Sequence, residues 1–410
     1  MCYTEGMEGR PIYLVVTQHF PAPGNWRGAF VLDFVRAVMR TRRFEVRVMV
    51  PGRGEDFTVE GVKVWRFRRR ALRSAVLPFL FRRWNRAAFF GCLKRMGVEP
   101  ERVAVCHAHG VFMGDYALAL KARSPGALAV LHHHDLASFG IHLGVLRHVR
   151  WHQRRLYGQL LALHGGMDAH VFVSARAARA FLEMPLPGGV LTADYRRSLA
   201  CVAGLPAPQV RRALVLFNGV DGRLFAPNAR RRGGAGFVMG CVGNFVEGKD
   251  QAVLLRALAG IRAQLPEGWR LRLVGSGPER GACERLVREL ELEQQVSFEA
   301  ERAHGAMAAF YAELDLFVLP ASFEAFGCVF AEAAACGVPV IGCIGQGLEE
   351  WTGAGYPGLV RPGDAAALGA RILDFVRAPW APPEPPAIDA EVPRFLERLL
   401  GAEKRKGAGA

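Results

Sequence analysis

Residues 322–333 read SFEAFGCVFAEA and carry two glutamates eight residues apart, Glu324 and Glu332. An apolar run at 314–319 predicts a strand just before this stretch, and a second apolar strand is predicted at 338–341. This pattern predicts Glu324 in a loop at a strand's carboxyl end and Glu332 in the helix that follows. Because ligands of open α/β sheets bind at that edge, the two carboxylates are predicted to hold one polar ligand, such as the hydroxyls of a sugar and of a ribose.

The length and the pattern of apolar runs predict two domains. The chain has 410 residues, of which 51% are hydrophobic, so it can fill more than one core. Short apolar runs alternate with helical patterns in both halves, which predicts two Rossmann-like, doubly wound α/β domains facing across a cleft. We predict a first domain at 1–228, a second at 229–378, and a Pro-rich segment, terminal helix and tail at 379–410.

The positive charge lies in the first half of the chain. Residues 1–200 contain 30 Lys and Arg against 14 Asp and Glu, whereas the remainder contains 23 against 24. Two stretches, 66–95 and 147–164, mix arginines with aromatic residues and leucines. We hypothesise that this domain attaches peripherally to an anionic membrane surface. The alternative is that these stretches are arginine-rich helices packed on the core.

Cysteine usage and the N-terminus indicate a compartment. The nine cysteines have no CxxC spacing, which is typical of reduced thiols and favours neither disulfides nor zinc. The first ten residues have acids where a signal peptide needs basic residues, and no run of about 18 apolar residues predicts a membrane span. We predict a cytoplasmic protein, with peripheral attachment to the membrane's inner face as the hypothesis above.

Two glycine-containing loops of the second half suit a phosphate group. Residues 240–250 read GCVGNFVEGKD, in which a predicted strand runs into a glycine turn and then into Lys249, just before a helix. Backbone N–H groups at a helix start, together with one ammonium, can bind a diphosphate. Residues 275–278 read GSGP, which predicts either a ligand loop or a tight turn. Considered alone, Lys249 also fits a solvated surface position.

Taken together, these motifs resemble the GT-B glycosyltransferases and, within them, the large retaining family 4. The resemblance covers residues 213 to about 372. It rests on FNGVD at 217–221, VGNF at 242–245, LVGSGPE at 273–279 and the stretch 319–342, which follow one another in the family's order.

The resemblance implies roles for the residues of the second domain. Glu324 would lie by the donor sugar and the reacting centre, and Glu332 would bind the ribose. Lys249 would neutralise the diphosphate together with the N–H groups of Phe326 and Gly327. The predicted donor-binding residues also include Gly275 and Asn244. The family commonly has arginine where this chain has Asn244, which can donate a hydrogen bond but carries no charge.

The resemblance extends less closely to the first domain. In the loop after the first strand, residues 21–30, Gly28 would let the backbone approach the diphosphate, and Arg27 could supply a second cation. The family has one histidine near the donor sugar, for which His134 is the predicted match and His133 the reserve. His109 is a further candidate, with a structural role as the alternative.

No metal site is predicted. Histidines 132–134 are adjacent, but neighbouring side chains of a strand point to opposite faces and are poorly placed as joint ligands. The sequence has no Asp-x-Asp pair, which agrees with a metal-independent GT-B site. No cofactor is predicted beyond the nucleotide diphosphate sugar, which would be a substrate.

The sequence therefore predicts a retaining, hexosyltransferase-like glycosyltransferase. It would move a sugar from a nucleotide diphosphate sugar to a hydroxyl of a glycan or lipid-linked acceptor, such as a cell-envelope precursor. One alternative is another GT-B enzyme, a sugar phosphorylase or a nucleotide-sugar epimerase. The other is a basic, non-enzymatic nucleic-acid-binding protein, which leaves the glutamate pair unexplained; no nucleic-acid motif is visible and no such partner is expected.

Overall fold

The computed structural model describes residues 9–22, 25–70, 79–134, 150–183, 208–227 and 236–407. Contacts divide the chain into two compact units. Of the described residues, unit 1 contains those up to 183, 208–217 and 388–407, and unit 2 contains 218–387.

The strands of the described residues form two sheets, one in each unit. In chain order they are β1 (Ile12–Thr17), β2 (Glu45–Pro51), β3 (Phe57–Val59), β4 (Val62–Phe67), β5 (Val103–His109), β6 (Leu128–His133), β7 (Ala169–Phe172), β8 (Ala213–Val215), β9 (Val238–Val242), β10 (Arg270–Val274), β11 (Val296–Glu299), β12 (Leu316–Val318), β13 (Val340–Cys343) and β14 (Leu359–Val360).

The helices connect successive strands, as parallel sheets require. In chain order they are α1 (Ala29–Arg40), α2 (Arg82–Arg95), α3 (Gly114–Arg123), α4 (Arg150–Gly166), α5 (Ala175–Glu183), α6 (Gln251–Ile261), α7 (Arg280–Glu289), α8 (Met307–Ala312), α9 (Cys328–Ala335), α10 (Gly347–Thr352), α11 (Ala365–Arg377) and α12 (Ile388–Gly407). None of the helices in the described ranges is long and apolar enough to cross a membrane.

The sheet of unit 1 has the order β3-β4-β2-β1-β5-β6-β7-β8, and every pairing is parallel except that of β3 with β4. Strand β1 reads IYLVVT and is buried along its whole length, as a central strand covered on both faces must be. The strand order reverses between β1 and β5, so the loops that follow these two strands flank the topological switch point.

Helix α12 completes the core of unit 1. Its apolar face buries Val392, Phe395, Leu396 and Leu399 against the sheet and α1. The rings of Phe34 on α1 and Phe395 lie 6.3 Å apart, and Arg40 of α1 pairs with Asp389 at 2.6 Å. The last helix therefore belongs to the unit that begins the chain.

The sheet of unit 2 has the order β11-β10-β9-β12-β13-β14 and is parallel throughout. Its order reverses between β9 and β12. The predicted pair of doubly wound, Rossmann-like parallel sheets is confirmed. The unit boundaries differ from the predicted ones, since residues 218–227 lie with unit 2 and 388–407 lie with unit 1, because α12 supplies apolar surface that the first core lacks.

Candidate functional site

The switch point of unit 2 brings together the two loops singled out in the sequence. Residues 243–250 follow β9 and residues 319–327 follow β12, and these neighbouring strands are those at which the order reverses. Their carboxyl ends therefore open into the crevice in which doubly wound sheets bind ligands.

Lys249 and Glu324 meet in this crevice. The Lys249 ammonium forms an ion pair with a carboxylate oxygen of Glu324, and their side chains are 23% and 14% exposed. The structure thus brings together the residue predicted for the diphosphate and the one predicted for the sugar. Both side chains are therefore mostly buried and keep a part of their surface in contact with solvent.

The backbone of Glu324 is held by a residue that the sequence analysis did not identify. The Glu324 N–H donates to Oε1 of Gln346 at 3.0 Å, and the Glu324 carbonyl accepts from the N–H of Gly347 at 3.0 Å. Gln346 is 2% exposed and lies after β13, the next strand of the sheet. A Cβ at Gly347 would lie 2.4 Å from Cα of Phe326, so only glycine allows this approach. The signal in the sequence that could have identified Gln346 is a polar residue directly after β13.

Phe326 and Gly327 lead into α9. Phe326 is buried, and Gly327 has φ 80°, a left-handed conformation that favours glycine. The helix starts at the next residue, and the N–H groups of Phe330 and Ala331 donate to the Gly327 carbonyl at 3.0 and 3.4 Å. Phe326 and Gly327 lie in the same loop as Glu324.

Glu332 is positioned by α8. One of its carboxylate oxygens accepts a hydrogen bond from the Tyr311 hydroxyl at 2.8 Å. Burial, and then the Glu332 charge, raise the pKa of Tyr311 well above its ordinary value, so the phenol stays a donor. Glu332 follows Gly327 by five residues, which is about 7.5 Å along a helix axis. Its contact with Tyr311 is distinct from the Lys249 ion pair.

The glycines of the loop after β10 have a packing role. Gly275 has φ 145°, and a Cβ there would lie 2.2 Å from the carbonyl oxygen of Gly243. Gly277 has φ 149°, and a Cβ there would lie 2.4 Å from the carbonyl oxygen of Phe245. These two glycines let the β10 loop rest on the β9 loop, from which the side chain of Asn244 is exposed to solvent.

In unit 1, three of the predicted residues converge at the carboxyl edge of the sheet. Gly28 has φ 85° at the start of α1, where a Cβ would lie 2.4 Å from the carbonyl oxygen of His19. His109 ends β5, and its Nδ1 is hydrogen-bonded at 2.8 Å to Nε2 of His134, which follows β6. The His134 ring lies 4.7 Å from that of Phe30 in the first turn of α1.

Of two further predicted residues of unit 1, His133 lies apart from this group and Arg27 lies at its margin. His133 lies on the opposite face of the sheet, where its Nε2 is hydrogen-bonded to Nδ1 of His170 at 3.0 Å. Arg27 is exposed, and its N–H donates to Oδ1 of Asn25 at 3.0 Å. The alternation of side chains along β6 explains why His133 and His134 separate.

The arginine-rich stretch 66–95 is divided between the core and a groove. Phe89 is fully buried, and both Arg82 and Arg86 pair with Asp115 of α3 at 2.6 and 2.7 Å. These residues fit the alternative prediction, an arginine-rich helix packed on the core. Leu80 is 56% exposed, while Arg73 and its neighbours at 71–78, like residues 147–149, lie outside the described residues.

The remaining arginines of this region line a groove of about 1080 Å³ at the carboxyl ends of β2 and β4. Arg95 is tied to Asp56 at 3.1 Å, and Arg70 stacks over the Trp84 ring at 4.5 Å. We call this groove the arginine groove, because its arginines outnumber its two acids, Glu55 and Asp56. The arginines are Arg53, Arg66, Arg68, Arg69, Arg70 and Arg95.

Comparison with known proteins identifies the fold. The chain is similar to the structure of sucrose-phosphate synthase from Thermosynechococcus elongatus, with a TM-score of 0.67 and 20% identity over 97% of this chain and 99% of that one. It is also similar to Anabaena HepE, solved in complex with UDP and glucose, with a TM-score of 0.62 and 19% identity over 94% of each chain. The fold is therefore GT-B, as predicted.

Sequence similarity is concentrated in unit 2. Residues 236–378 match the family model described as glycosyl transferases group 1. A GDP-mannose-dependent alpha-(1-6)-phosphatidylinositol monomannoside mannosyltransferase of Mycolicibacterium smegmatis is 32% identical over 177 residues, which are 39% of this chain and 46% of that protein. The match thus spans less than half the length of this relative. The predicted resemblance to glycosyl transferases group 1 is confirmed over residues 236–378.

Proposed function

We propose that this chain is a retaining glycosyltransferase of family 4 that moves a sugar from a nucleotide diphosphate sugar to an acceptor hydroxyl. The observation that carries the proposal is the meeting of Lys249 and Glu324 at the switch point of unit 2. The bond that must break joins the diphosphate to the sugar. At one crevice, an ammonium can bind the diphosphate and a carboxylate can bind the sugar. The family match over residues 236–378 supports this assignment.

The donor would be bound by charge and by backbone N–H groups. When the diphosphate enters, the Lys249 ammonium would exchange its pairing with Glu324 for a phosphate oxygen. The N–H groups of Phe326 and Gly327 would add hydrogen bonds. Glu332, oriented by Tyr311, would accept hydrogen bonds from the ribose hydroxyls, and Glu324 from the hydroxyls of the sugar.

In the reaction, the bond between the sugar's anomeric carbon and the β-phosphate oxygen breaks, and the acceptor oxygen bonds to that carbon from the same face. Because the new bond forms on the face that the phosphate leaves, the configuration is retained, and the leaving phosphate takes the acceptor's proton. Negative charge grows on the phosphate as the bond breaks, and Lys249 stabilises it. A preorganised donor of this kind contributes on the order of 10²–10³ in rate.

We further propose that this step needs no metal ion at the diphosphate. The charge would instead be offset by Lys249 and by the start of α9, while the His134 and His109 pair of unit 1 would lie near the donor sugar. Asn244, in place of arginine, would contribute a hydrogen bond without charge. Gly28 would admit the diphosphate to the first loop of unit 1, with Arg27 as a second cation.

The acceptor is proposed to carry an anionic group, as a lipid-linked or cell-envelope precursor does. The arginine groove supports this part, since its six arginines face two acids. The mycolicibacterial relative acts, by its name, on a phosphatidylinositol mannoside. We propose that the same basic face attaches peripherally to anionic lipid, which co-sedimentation with anionic vesicles at low salt would test.

The proposal is tested by nucleotide binding and transfer. We expect UDP, GDP or ADP, alone or as its sugar, to raise the melting temperature of the protein, and transfer to continue in EDTA. Lys249→Met should lower kcat/KM for the donor about 10²–10³-fold, while Lys94→Ala, an exposed lysine of α2, serves as the control. Absence of nucleotide binding would contradict the proposal, and turnover that requires inorganic phosphate would indicate a sugar phosphorylase.

A further inference from the structure

Unit 1 contains a cluster of histidines on one face of its sheet. His107 and His109 of β5 point to the same face, and the parallel register places His109 beside His132 of β6. His134 follows two residues later on that face. We call these four residues the histidine cluster. His107, His109 and His132 are at most 3% exposed.

The ring nitrogens of the cluster divide into two sets. Nδ1 of His107 is hydrogen-bonded to the Tyr13 hydroxyl at 2.6 Å, and Nδ1 of His109 to Nε2 of His134 at 2.8 Å. Among the described residues, Nε2 of His107, Nε2 of His109 and both nitrogens of His132 are buried without a hydrogen-bond partner. Buried polar atoms are almost always satisfied, so four such atoms in one place indicate a missing partner.

We propose that His107, His109 and His132 bind a divalent transition metal ion of the zinc class. One ring nitrogen from each lies within 4.8 Å of the others. Ligands 2.0–2.1 Å from a tetrahedral zinc ion are about 3.3 Å apart, so the ring nitrogens need to approach one another by up to about 1.5 Å. Imidazole is a preferred ligand of such ions.

The hydrogen bonds around the cluster have the arrangement of an outer ligand shell. Metal-binding histidines usually donate their other ring N–H to a nearby acceptor, which fixes the tautomer. Tyr13 can accept from Nδ1 of His107, and His134 from Nδ1 of His109. In each case the hydrogen bond leaves Nε2 free to bind the ion. The ion would tie β5 to β6 and stabilise unit 1.

A second group on the opposite face provides an internal comparison. His133, His164 and His170 also come within 4.8 Å of one another. However, both ring nitrogens of His170 are already engaged, with Nε2 of His133 at 3.0 Å and the carbonyl oxygen of His164 at 3.1 Å. We therefore assign the ion to the histidine cluster, and His170→Gln is the matched control, being an equally buried histidine of the same sheet.

The test loads the ion during synthesis, because the cluster is buried. The full chain is produced in minimal medium with Co²⁺ or Zn²⁺, purified in chelator, and its metal content measured by mass spectrometry. We expect one ion per chain, and visible ligand-field bands of tetrahedral Co²⁺ in the cobalt form. His132→Asn should remove both signals, whereas His170→Gln should keep them. Tyr13→Phe should weaken binding about 10- to 100-fold.

The stability of the wild-type chain gives a readout that needs no variant. A bound ion stabilises the folded state, so the metal-loaded protein should melt at a higher temperature than protein produced without added metal. A chain that emerges without metal, shows no ligand-field bands and melts identically in both preparations would overturn the proposal. Retention of full metal content in a folded His132→Asn variant would overturn it as well.

Discussion

Substituting Glu324 with glutamine should tighten the binding of a nucleoside diphosphate while it removes transfer. In the free protein the Lys249 ammonium is paired with this carboxylate. A diphosphate must therefore compete with Glu324 for the same cation, and it must also approach a negative charge. Glutamine keeps the shape of the side chain and removes both effects, so the two functions of the site should respond in opposite directions.

The structure sets the size of this effect. Exposed ion pairs are worth about 0–1 kcal/mol, and this pair, with side chains 23% and 14% exposed, lies at or above the upper end. Release of about 1 kcal/mol corresponds to roughly fivefold tighter binding. Removal of the carboxylate's repulsion acts in the same direction. The backbone of Glu324 is held by Gln346 and Gly347, so the loop should keep its position in the variant.

Isothermal titration calorimetry with UDP, GDP and ADP at fixed ionic strength measures the change. We expect the Kd of the preferred nucleotide to fall at least about fivefold in Glu324→Gln, to rise in Lys249→Met, and to stay constant in Glu247→Gln, an exposed glutamate of the same loop. Weaker or unchanged binding in Glu324→Gln would refute the reasoning, because Lys249 would then not be the cation that the diphosphate engages.

Three further predictions concern packing, pH and the arginine groove. Gly277 has φ 149°, and a Cβ there would lie 2.4 Å from a backbone oxygen. Gly277→Ala should therefore lower the free energy of unfolding, measured by urea titration, by about 1–3 kcal/mol. The control is Gly260→Ala in α6, where nothing lies within 4 Å, and it should be neutral or stabilising. Burial lowers the folded-state pKa of His170 to about 4, so the unfolded chain binds the extra proton and stability falls as pH drops below about 6.5. Relative to His170→Gln, the wild type should lose about 2 kcal/mol more free energy of unfolding between pH 7 and pH 5. An equal dependence of the free energy of unfolding on pH in the two proteins would contradict this. Replacing both Arg68 and Arg69 with alanine should raise KM for an anionic acceptor and leave the KM of the donor unchanged, which initial-rate measurements with both substrates varied would check.

The sequence predicted the elements around the switch points well, because these are the most regular parts of the chain. The strands predicted at 314–319 and 338–341 are observed as β12 and β13, since a parallel strand covered on both faces is a continuous apolar run. Lys249 and Glu324 were predicted at strand ends, and the shared edge of a parallel sheet then brings them together. Strands β3 and β14, of three and two residues, were missed because so few residues carry no pattern.

The features that the sequence did not predict depend on distant pairings. Gln346 acts on Glu324 from 22 residues away, through a neighbouring strand. The histidines at 132–134 were judged one strand at a time, which correctly separates His133 from its neighbours. The partners that complete the cluster come from β5, and only the register of β5 with β6 reveals them. The terminal helix was predicted, but nothing local indicates the unit on which it packs.

The return of α12 to unit 1 has a consequence for how the chain can be made and divided. During synthesis, residues 9–217 emerge from the ribosome without the helix whose apolar side chains close their core. Unit 2, in contrast, has its whole described sequence available once residue 387 has been translated. A fragment ending at residue 217 should therefore aggregate or stay partly folded, whereas the same fragment should be rescued by a supplied peptide corresponding to 388–407.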